Sequence, residues 1–204
     1  MQIQISYPQL MEMEQRKRAH LINSVGGFKS VCLIGSADNS GKTNLAIFSS
    51  IVHIGANPPL ICFIMRPDSV ERHTLHNILE TGVYTINHIN ENIYRKAHQT
   101  SARYSKSISE FDATGLTGEY KNEFKAPFVK ESMIQLAVEF KERIDLTINN
   151  TIMIIGEINQ LYLPGDCLCE DGYVDIEKAG TISCTGLNSY HTTQRLQRLD
   201  YAKP

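Results

Sequence analysis

The strongest constraint on the fold is an alternation of apolar and polar residues in the second half of the chain. Within residues 134–148, most even positions are apolar and most odd positions are polar or charged. Since successive side chains of a β-strand point to opposite faces, this period predicts one long strand or two strands around a bend. The nearly continuous apolar run at 151–163 predicts a buried strand beside it. Gly156 inside that run is typical of a bulge or of a close backbone approach.

Further segments have the β-branched, apolar composition of strands without a helical period. They are residues 28–36, 45–54, 60–65, 83–89 and, more briefly, 181–185. About seven strands with few helices and no regular strand–helix alternation predict a mostly β fold. A closed antiparallel β-barrel with peripheral helices fits this pattern better than a doubly wound sheet does.

Helices are predicted around this barrel. Residues 9–23 contain strong helix formers and end before two glycines, which predicts a helix outside the core within an N-terminal extension, residues 1–27. The polar segment 91–128 has the weakest periodicity and is interpreted as helix and long loop, a candidate lid. Since no composition break or repeat divides the chain, residues 1–204 are predicted to form a single domain.

Charge and cysteine content limit the compartment and the partners. The chain carries 20 Lys and Arg against 22 Asp and Glu, a formal charge of −2, so no global field favours nucleic acid. The five cysteines are scattered and odd in number, which argues against a disulfide framework and favours a reducing cytoplasm. The first twenty residues contain no signal-peptide pattern, so we expect no export.

One stretch without charges mimics a membrane span in a hydropathy window. It lies between Lys42 and Arg66 and contains Asn57-Pro58-Pro59 near its middle. Because proline rings interrupt backbone hydrogen bonding and extend the preceding residue, two strands joined by a corner explain the stretch better, and no membrane association is expected.

Two motifs could suggest other chemistry. Gly35 to Thr43 reads GSADNSGKT, which is one residue too long for a phosphate-binding P-loop, and an apolar segment without helical period follows it. A hairpin turn built from Asp-Asn-Ser-Gly is the preferred interpretation, with a nucleotide triphosphatase as a distant alternative. Cys167 and Cys169 have no second ligand pair at structural-zinc spacing, so no metal site is predicted.

A possible anion site lies at the start of a predicted helix that ends at Gly82. Asp68 and Glu71 resemble a capping box, which predicts a helix from there to Gly82 with His73 and Asn77 on the side away from its apolar stripe. Free N–H groups at a helix start favour phosphate, and arginine and hydroxyl side chains close by strengthen such a site. These side chains are Arg66, Arg72, His73 and Thr74. His53, in the apolar segment 45–54, occupies a position that is costly unless its ring nitrogens find partners.

Four stretches carry a family resemblance. They read GKTNLAIFSSIVHIGANPPLICFIMRP, RHTLHNILETGVYTINHI, SEFDATGL and TIMIIGEINQLYL. In their order and spacing they resemble the flavin reductase-like family, whose fold is an FMN-binding split β-barrel of Greek-key type. The resemblance covers residues 29–187 and agrees with the barrel that the strand pattern predicts.

The resemblance implies a cofactor site. The strand before the double-proline corner would face the isoalloxazine ring, and the next strand end and helix start would hold the ribityl phosphate. Along the ring it places Asn44, Phe48, Ser49, Ser50 and His53. At the phosphate it places Arg66, Arg72, His73 and Thr74, where many relatives have a Lys-Asp-Thr sequence.

The function that the resemblance implies is that of an FMN-binding oxidoreductase. It would take hydride from NADH or NADPH and pass electrons to free flavin or another small-molecule acceptor, and it would work as a cytoplasmic homodimer. No catalytic residue is assigned, since the cofactor does the redox chemistry. The main alternative is a flavin-containing electron carrier or flavin-binding module without NAD(P)H activity.

Overall fold

A computed structural model describes residues 1–203 of the chain, which form twelve strands and five α-helices. The helices are α1 (Tyr7–Glu12), α2 (Gln15–Val25), α3 (His73–Thr81), α4 (Tyr94–Gln99) and α5 (Glu110–Thr114). The strands are β1 (Lys29–Ser30), β2 (Cys32–Ala37), β3 (Thr43–Phe48), β4 (Ile51–Ala56), β5 (Pro59–Met65), β6 (Val83–His88), β7 (Gly118–Glu119), β8 (Phe128–Val129), β9 (Gln135–Leu146), β10 (Thr151–Tyr162), β11 (Ser183–Thr185) and β12 (Ser189–His191). A short 3₁₀ helix spans Gly165–Cys167.

Seven of these strands form one antiparallel sheet in the order β3-β2-β6-β9-β10-β5-β4. Its two outermost strands, β3 and β4, are consecutive in the chain and are joined by Ser49 and Ser50 alone. Because so short a connection spans at most about 10 Å, the edges of the sheet must come close together. The sheet therefore curls into a barrel that is split between β3 and β4, which confirms the predicted mostly β fold. Smaller sheets pair β1 with β11 and β12, and β7 with β8.

The hairpin of β9 and β10 confirms the two strands predicted from the alternating pattern and the apolar run. Its register shifts between Ile155 and Gly156, as expected of a bulge. A Cβ atom at Gly156 would collide with the hydroxyl of Tyr84 and with a methyl group of Val138. Glycine is therefore required here because the strand passes directly over the barrel interior.

The barrel interior is closed at one end by α3. Leu75 and Ile78 of this helix are buried among the apolar side chains that β2, β5, β6, β9 and β10 point inward. A second apolar cluster lies outside the barrel, where α4 and α5 pack over β2 and β3 through Ala97 and Phe111. Both clusters together fix the loop between α4 and α5 near the start of α3.

The turn between β2 and β3 has the predicted hairpin geometry. Asp38 Oδ1 accepts hydrogen bonds from the backbone N–H of Ser40 and of Lys42, each at 3.0 Å, and Gly41 has a positive φ of 86°. The chain continues into strand β3 rather than into a helix. A P-loop needs a helix that starts at the lysine, and here a strand follows instead. The nucleotide triphosphatase alternative is therefore wrong.

Several predicted boundaries differ from the structure. Residues 45–54 are not one strand, because β3 ends at Phe48 and β4 begins at Ile51, and residues 28–36 are likewise divided between β1 and β2. The N-terminal helix is interrupted, because Glu14 caps a second helix by accepting hydrogen bonds from the backbone N–H of Arg16 and Lys17 at 2.9 Å. Neither α1 nor α2 has a buried residue.

Within the described residues, no helix is long and apolar enough to cross a membrane.

Candidate functional site

The N-terminus of α3 is the centre of the candidate site. The helix starts at His73, and the preceding Arg72 makes no side-chain capping hydrogen bond. The predicted capping box of Asp68 and Glu71 is therefore wrong, and both residues lie in the loop before the helix. Backbone N–H groups of a first helical turn have no partner inside the helix. They can therefore donate hydrogen bonds to a bound anion at this helix start.

Arg72 directly precedes this helix start, and the charges of two further arginines, Arg66 and Arg103, act on it. The guanidinium of half-buried Arg72 donates from Nε and one terminal nitrogen to the carbonyl of Pro67, at 3.2 and 3.1 Å. The pKa of Arg72 is lowered, first by burial and then by the positive charges of Arg66 and Arg103. Among the described residues, no carboxylate lies within 4.0 Å of these three guanidinium groups, and Asp68 pairs with Arg143 at 3.5 Å instead. None of the three guanidinium groups therefore has a direct carboxylate partner, although the charge of Asp68 acts on Arg72 in the opposite sense and Glu71 lies 3.5 Å from the ring of His73.

Two buried hydrogen bonds hold α3 in place. Asn44 of β3 donates from Nδ2 to Thr74 Oγ1 at 2.9 Å, and Asn77 donates to Ser36 Oγ of β2 at 3.2 Å. The structure thus brings the predicted residues Asn44 and Thr74 into direct contact. Asn77 is buried and faces the barrel, so the prediction that it lies away from the apolar side was wrong. These two bonds fix where the free N–H groups of α3 point.

A buried carboxylate lies beside the same helix start. Glu110 Oε2 accepts a hydrogen bond from the backbone N–H of Leu45 at 2.9 Å, and Ser109 shares one with Thr43 Oγ1 at 2.7 Å. Burial raises the pKa of the Glu110 carboxyl, while hydrogen bonds and the nearby His73 ring oppose that rise. Glu110 therefore attaches α5 to the exposed edge of β3.

A small cavity separates α3 from the loop that precedes α5. Its volume is about 10 Å³, enough for about one water molecule. The residues that line it are mostly polar or charged, namely Asp38, Lys42, Thr43, Asn44, His73, Asn77, Lys106 and Ile108. This cavity is too small for a phosphate group.

The junction of β3 and β4 supplies the other predicted residues. The Phe48 ring packs against Phe63 in the barrel interior, with ring centres 4.8 Å apart. Ser50 Oγ donates to the carbonyl of Ile64 at 2.9 Å and accepts from its N–H at 3.1 Å. Ser49 and Ser50 lie outside both strand ladders, so their own N–H groups are not committed to a strand partner. His53 is exposed on β4, which corrects the expectation of a buried ring that needs partners.

Some residues at the site were missed by sequence reasoning. Lys42, Arg103, Lys106 and Glu110 lie far from α3 in the chain and come to it through the packing of β3 and of the loop between α4 and α5. The only local signal was the SEFDATGL stretch, in which Ser109 caps α5 by accepting from the N–H of Phe111 at 3.3 Å.

Comparison with solved structures supports the fold. A protein from Shewanella frigidimarina, described as a flavin reductase with a split barrel domain, is 50% identical with a TM-score of 0.95, covering 98% of this chain and 100% of that one. Component B of nitrilotriacetate monooxygenase from Bacillus cereus is 22% identical with a TM-score of 0.84, covering 98% and 99%. Flavoredoxin of Desulfovibrio vulgaris is 21% identical with a TM-score of 0.73, covering 86% and 92%.

Comparison with family models gives the same result from the sequence. The model of the flavin reductase like domain matches residues 25–176, about three quarters of the chain. The matched region includes the β3–β4 junction, the three arginines and the whole of α3. This chain belongs to the flavin reductase-like family.

Proposed function

We propose that this chain binds FMN between the β3–β4 junction and the start of α3, takes hydride from NADH or NADPH, and passes electrons to free flavin or another small-molecule acceptor. The observation that carries the proposal is the start of α3, where free backbone N–H groups lie beside Arg72, which has no carboxylate within 4.0 Å and on which the positive charges of Arg66 and Arg103 act. Like charges that are held together cost free energy, and a bound dianion repays that cost. Membership of the flavin reductase-like family makes a flavin phosphate the best candidate for that dianion.

The residues at the site fit this cofactor. Arg66, Arg72 and the first N–H groups of α3 would hold the phosphate, and the buried bond between Asn44 and Thr74 would keep the helix start in position. The uncommitted N–H groups of Ser49 and Ser50 would face the ring, where donors stabilise negative charge on a reduced flavin. FMN, when bound, supplies the hydride and electron chemistry, and the protein supplies binding and orientation.

A flavin titration and a donor assay test this proposal. Addition of micromolar FMN is expected to raise the Tm of the protein and to change flavin fluorescence, because a ligand that binds only the native state stabilises it by mass action. Oxidation of NADH or NADPH should then depend on added FMN. FMN binding without oxidation of either donor would identify an electron carrier instead, and no effect of FMN on Tm or fluorescence would contradict the proposal.

We also propose that the chain works as a homodimer in the cytoplasm. Its five cysteines are free, as expected in a reducing compartment. The edge strand β4 exposes Val52 and Ile54, which are 52% and 44% accessible, and neighbouring apolar surface of this kind favours association. Light scattering at micromolar concentration should report about twice the monomer mass of 23.0 kDa. A mass near the monomer value with FMN bound would contradict the dimer.

A further inference from the structure

A second cavity lies between the loop that precedes α3 and the tip of the β9–β10 hairpin. Its volume is about 330 Å³. A cavity of this size accommodates a small-molecule group, whereas the cavity of about 10 Å³ beside α3 holds about one water molecule. Its lining includes Pro67, Asp68 and Ser69 from the loop and Asp145, Leu146 and Thr147 from the hairpin. The proposed flavin contacts use none of these side chains.

The barrel holds both walls of this cavity in place. Met65 at the end of β5 pairs in register with Ile152 of β10, so the loop begins directly beside the hairpin tip. Arg143 of β9 then bridges the two walls. Its guanidinium lies 2.7 Å from Asp145 Oδ1 and 3.5 Å from Asp68 Oδ2. The cavity is therefore built by the fold itself.

The charges at the cavity favour a ligand group that donates hydrogen bonds. Asp68 and Asp145 carry two negative charges, against which Arg143 supplies one positive charge. Arg143 holds Asp145 by three contacts of 2.7 to 3.1 Å, whereas it reaches Asp68 only at 3.5 Å. The Asp68 side chain is 50% exposed, so its carboxylate keeps free acceptor positions. Because an ionised carboxylate only accepts, it binds hydroxyl groups and repels phosphate.

The rest of the lining suits a sugar. The hydroxyls of Ser69 and Thr147 can both donate and accept, which matches the hydroxyl and ring oxygens of a sugar. Pro67 and Leu146 add apolar surface on which carbon atoms can pack. A nucleoside ribose has two adjacent hydroxyl groups, so it matches a carboxylate that lies beside hydroxyl side chains.

The cavity shares a residue with the proposed flavin site. The carbonyl of Pro67 accepts hydrogen bonds from Nε and one terminal nitrogen of Arg72, at 3.2 and 3.1 Å. Pro67 also lines the cavity. A pyridine nucleotide whose nicotinamide lies on the flavin carries its adenosine at the far end of a diphosphate. It therefore needs a second compartment next to the flavin site, and the cavity has the volume and the polar groups for one.

We propose that this cavity binds the adenosine ribose of the hydride donor, and that Asp68 selects NADH over NADPH. The inference rests on the proposed function and adds the specificity for the donor. NADH has a free 2′-hydroxyl that can donate to the Asp68 carboxylate. NADPH has a phosphate at that position, which Asp68 and Asp145 repel. An acidic side chain on the 2′-hydroxyl distinguishes the two nucleotides in the same way at dinucleotide sites of other folds.

Steady-state oxidation of both donors at saturating FMN tests this selection. The wild type should have a kcat/KM for NADH about tenfold above that for NADPH, as expected of one charge-assisted hydrogen bond. Asp68→Asn keeps the shape of the side chain and removes its charge. It should raise the KM for NADH about tenfold and leave kcat and FMN affinity unchanged, because the contact binds a part of the donor that does not react.

A second measurement needs no turnover. ADP-ribose and 2′-phospho-ADP-ribose contain the adenosine ribose and lack nicotinamide, so calorimetric titration reports on the cavity alone. The wild type should bind ADP-ribose about tenfold more tightly than its 2′-phosphate, and Asp68→Asn should lose this difference. The matched control is Asp171→Asn, since Asp171 is 54% exposed, pairs with Arg198 and does not line the cavity. It should keep the wild-type KM values and affinities.

Equal use of both donors by the wild type, or the same KM for NADH in Asp68→Asn as in the wild type, would overturn the inference. A loss of kcat or of FMN affinity in Asp68→Asn without a rise in KM would also overturn it, because the residue would then support the fold or the flavin site. An effect of equal size in the control would do the same.

The proposed function fails separately from this inference. If the wild type does not bind FMN, or binds it and oxidises neither donor, the function is wrong in that part. Titration of the wild type with ADP-ribose then decides on the cavity by itself. Tighter binding of ADP-ribose than of its 2′-phosphate, lost in Asp68→Asn, would support the ribose site, whereas no binding or equal binding of the two would overturn it.

Discussion

Arg72→Ala is expected to weaken FMN binding about tenfold to a hundredfold and to leave riboflavin binding almost unchanged. The reason is that Arg72 is half-buried at the helix start, where a charge-assisted hydrogen bond contributes about 1.5 to 3 kcal/mol. Riboflavin has the same ring and no phosphate, so it does not use this charge. The comparison of the two ligands therefore separates phosphate binding from ring binding.

Fluorescence titration of both flavins against wild type, Arg72→Ala and Arg72→Lys measures this separation. Arg16→Ala is a suitable control, because Arg16 lies on α2, which has no buried residue. Equal weakening of both flavins would show that Arg72 supports the fold or the ring site. No effect on either flavin would mean that the helix start is a solvated end without a ligand.

The variants Arg66→Ala and Arg72→Ala should differ in how much FMN affinity they lose and in how that loss depends on salt concentration. Arg66 is exposed, so its interaction with a phosphate is screened by solvent and ions, whereas Arg72 is half-buried and donates to the carbonyl of Pro67. We therefore expect FMN affinity to fall more in Arg72→Ala than in Arg66→Ala. The difference between the two variants should grow at high salt.

The sequence predicted the strands that have a clear period and missed the break between two of them. The alternation in β9 and the apolar run in β10 survive in the structure because each strand has one face, or both, in the core. Residues 45–54 were predicted as one strand because Ser49 and Ser50 interrupt the apolar pattern without a glycine or proline. That break is the split in the barrel, and it is set by which strands pair rather than by local propensity.

The candidate site could be predicted only in part, because some of its residues are close together in the sequence and others come together only through folding. Arginine and hydroxyl residues next to a helix start are close together in the sequence, so Arg72, His73 and Thr74 could be proposed from local pattern alone. The contacts of Asn77 with Ser36 and of Glu110 with Leu45 join residues 41 and 65 positions apart. Such contacts depend on how α3 and α5 pack on the hairpin of β2 and β3, which a single sequence does not show.

His88 is expected to make the protein strongly sensitive to acid. Its ring is half-buried at the end of β6, with Nδ1 3.0 Å from Thr181 Oγ1, and it pairs in register with Cys32 of β2. Burial lowers the pKa of His88 to about 4 and raises the pKa of the neighbouring Cys32 thiol to about 12. Both shifts have the same cause, an apolar environment that disfavours charge.

The sign of the pH dependence follows from the folded and unfolded pKa values. Above about pH 6.5 the ring is neutral in both states and contributes nothing. As the pH falls from about 6.5 to 4, the unfolded chain takes up a proton that the folded protein does not, so the free energy of unfolding decreases. The full loss, reached below about pH 4, is about 3 kcal/mol for this one residue.

Urea unfolding of wild type and His88→Gln at a series of pH values between 7 and 4 measures this loss. Glutamine does not titrate. The free energy of unfolding of the wild type should therefore decrease by about 3 kcal/mol more than that of the variant over this range, even if the substitution changes the stability at pH 7. His76→Gln is the control, since His76 is exposed on α3, and it should keep the wild-type pH dependence. Parallel curves for wild type and His88→Gln would show that His88 is protonated at similar pH in both states, and that its position in the sheet does not exclude charge.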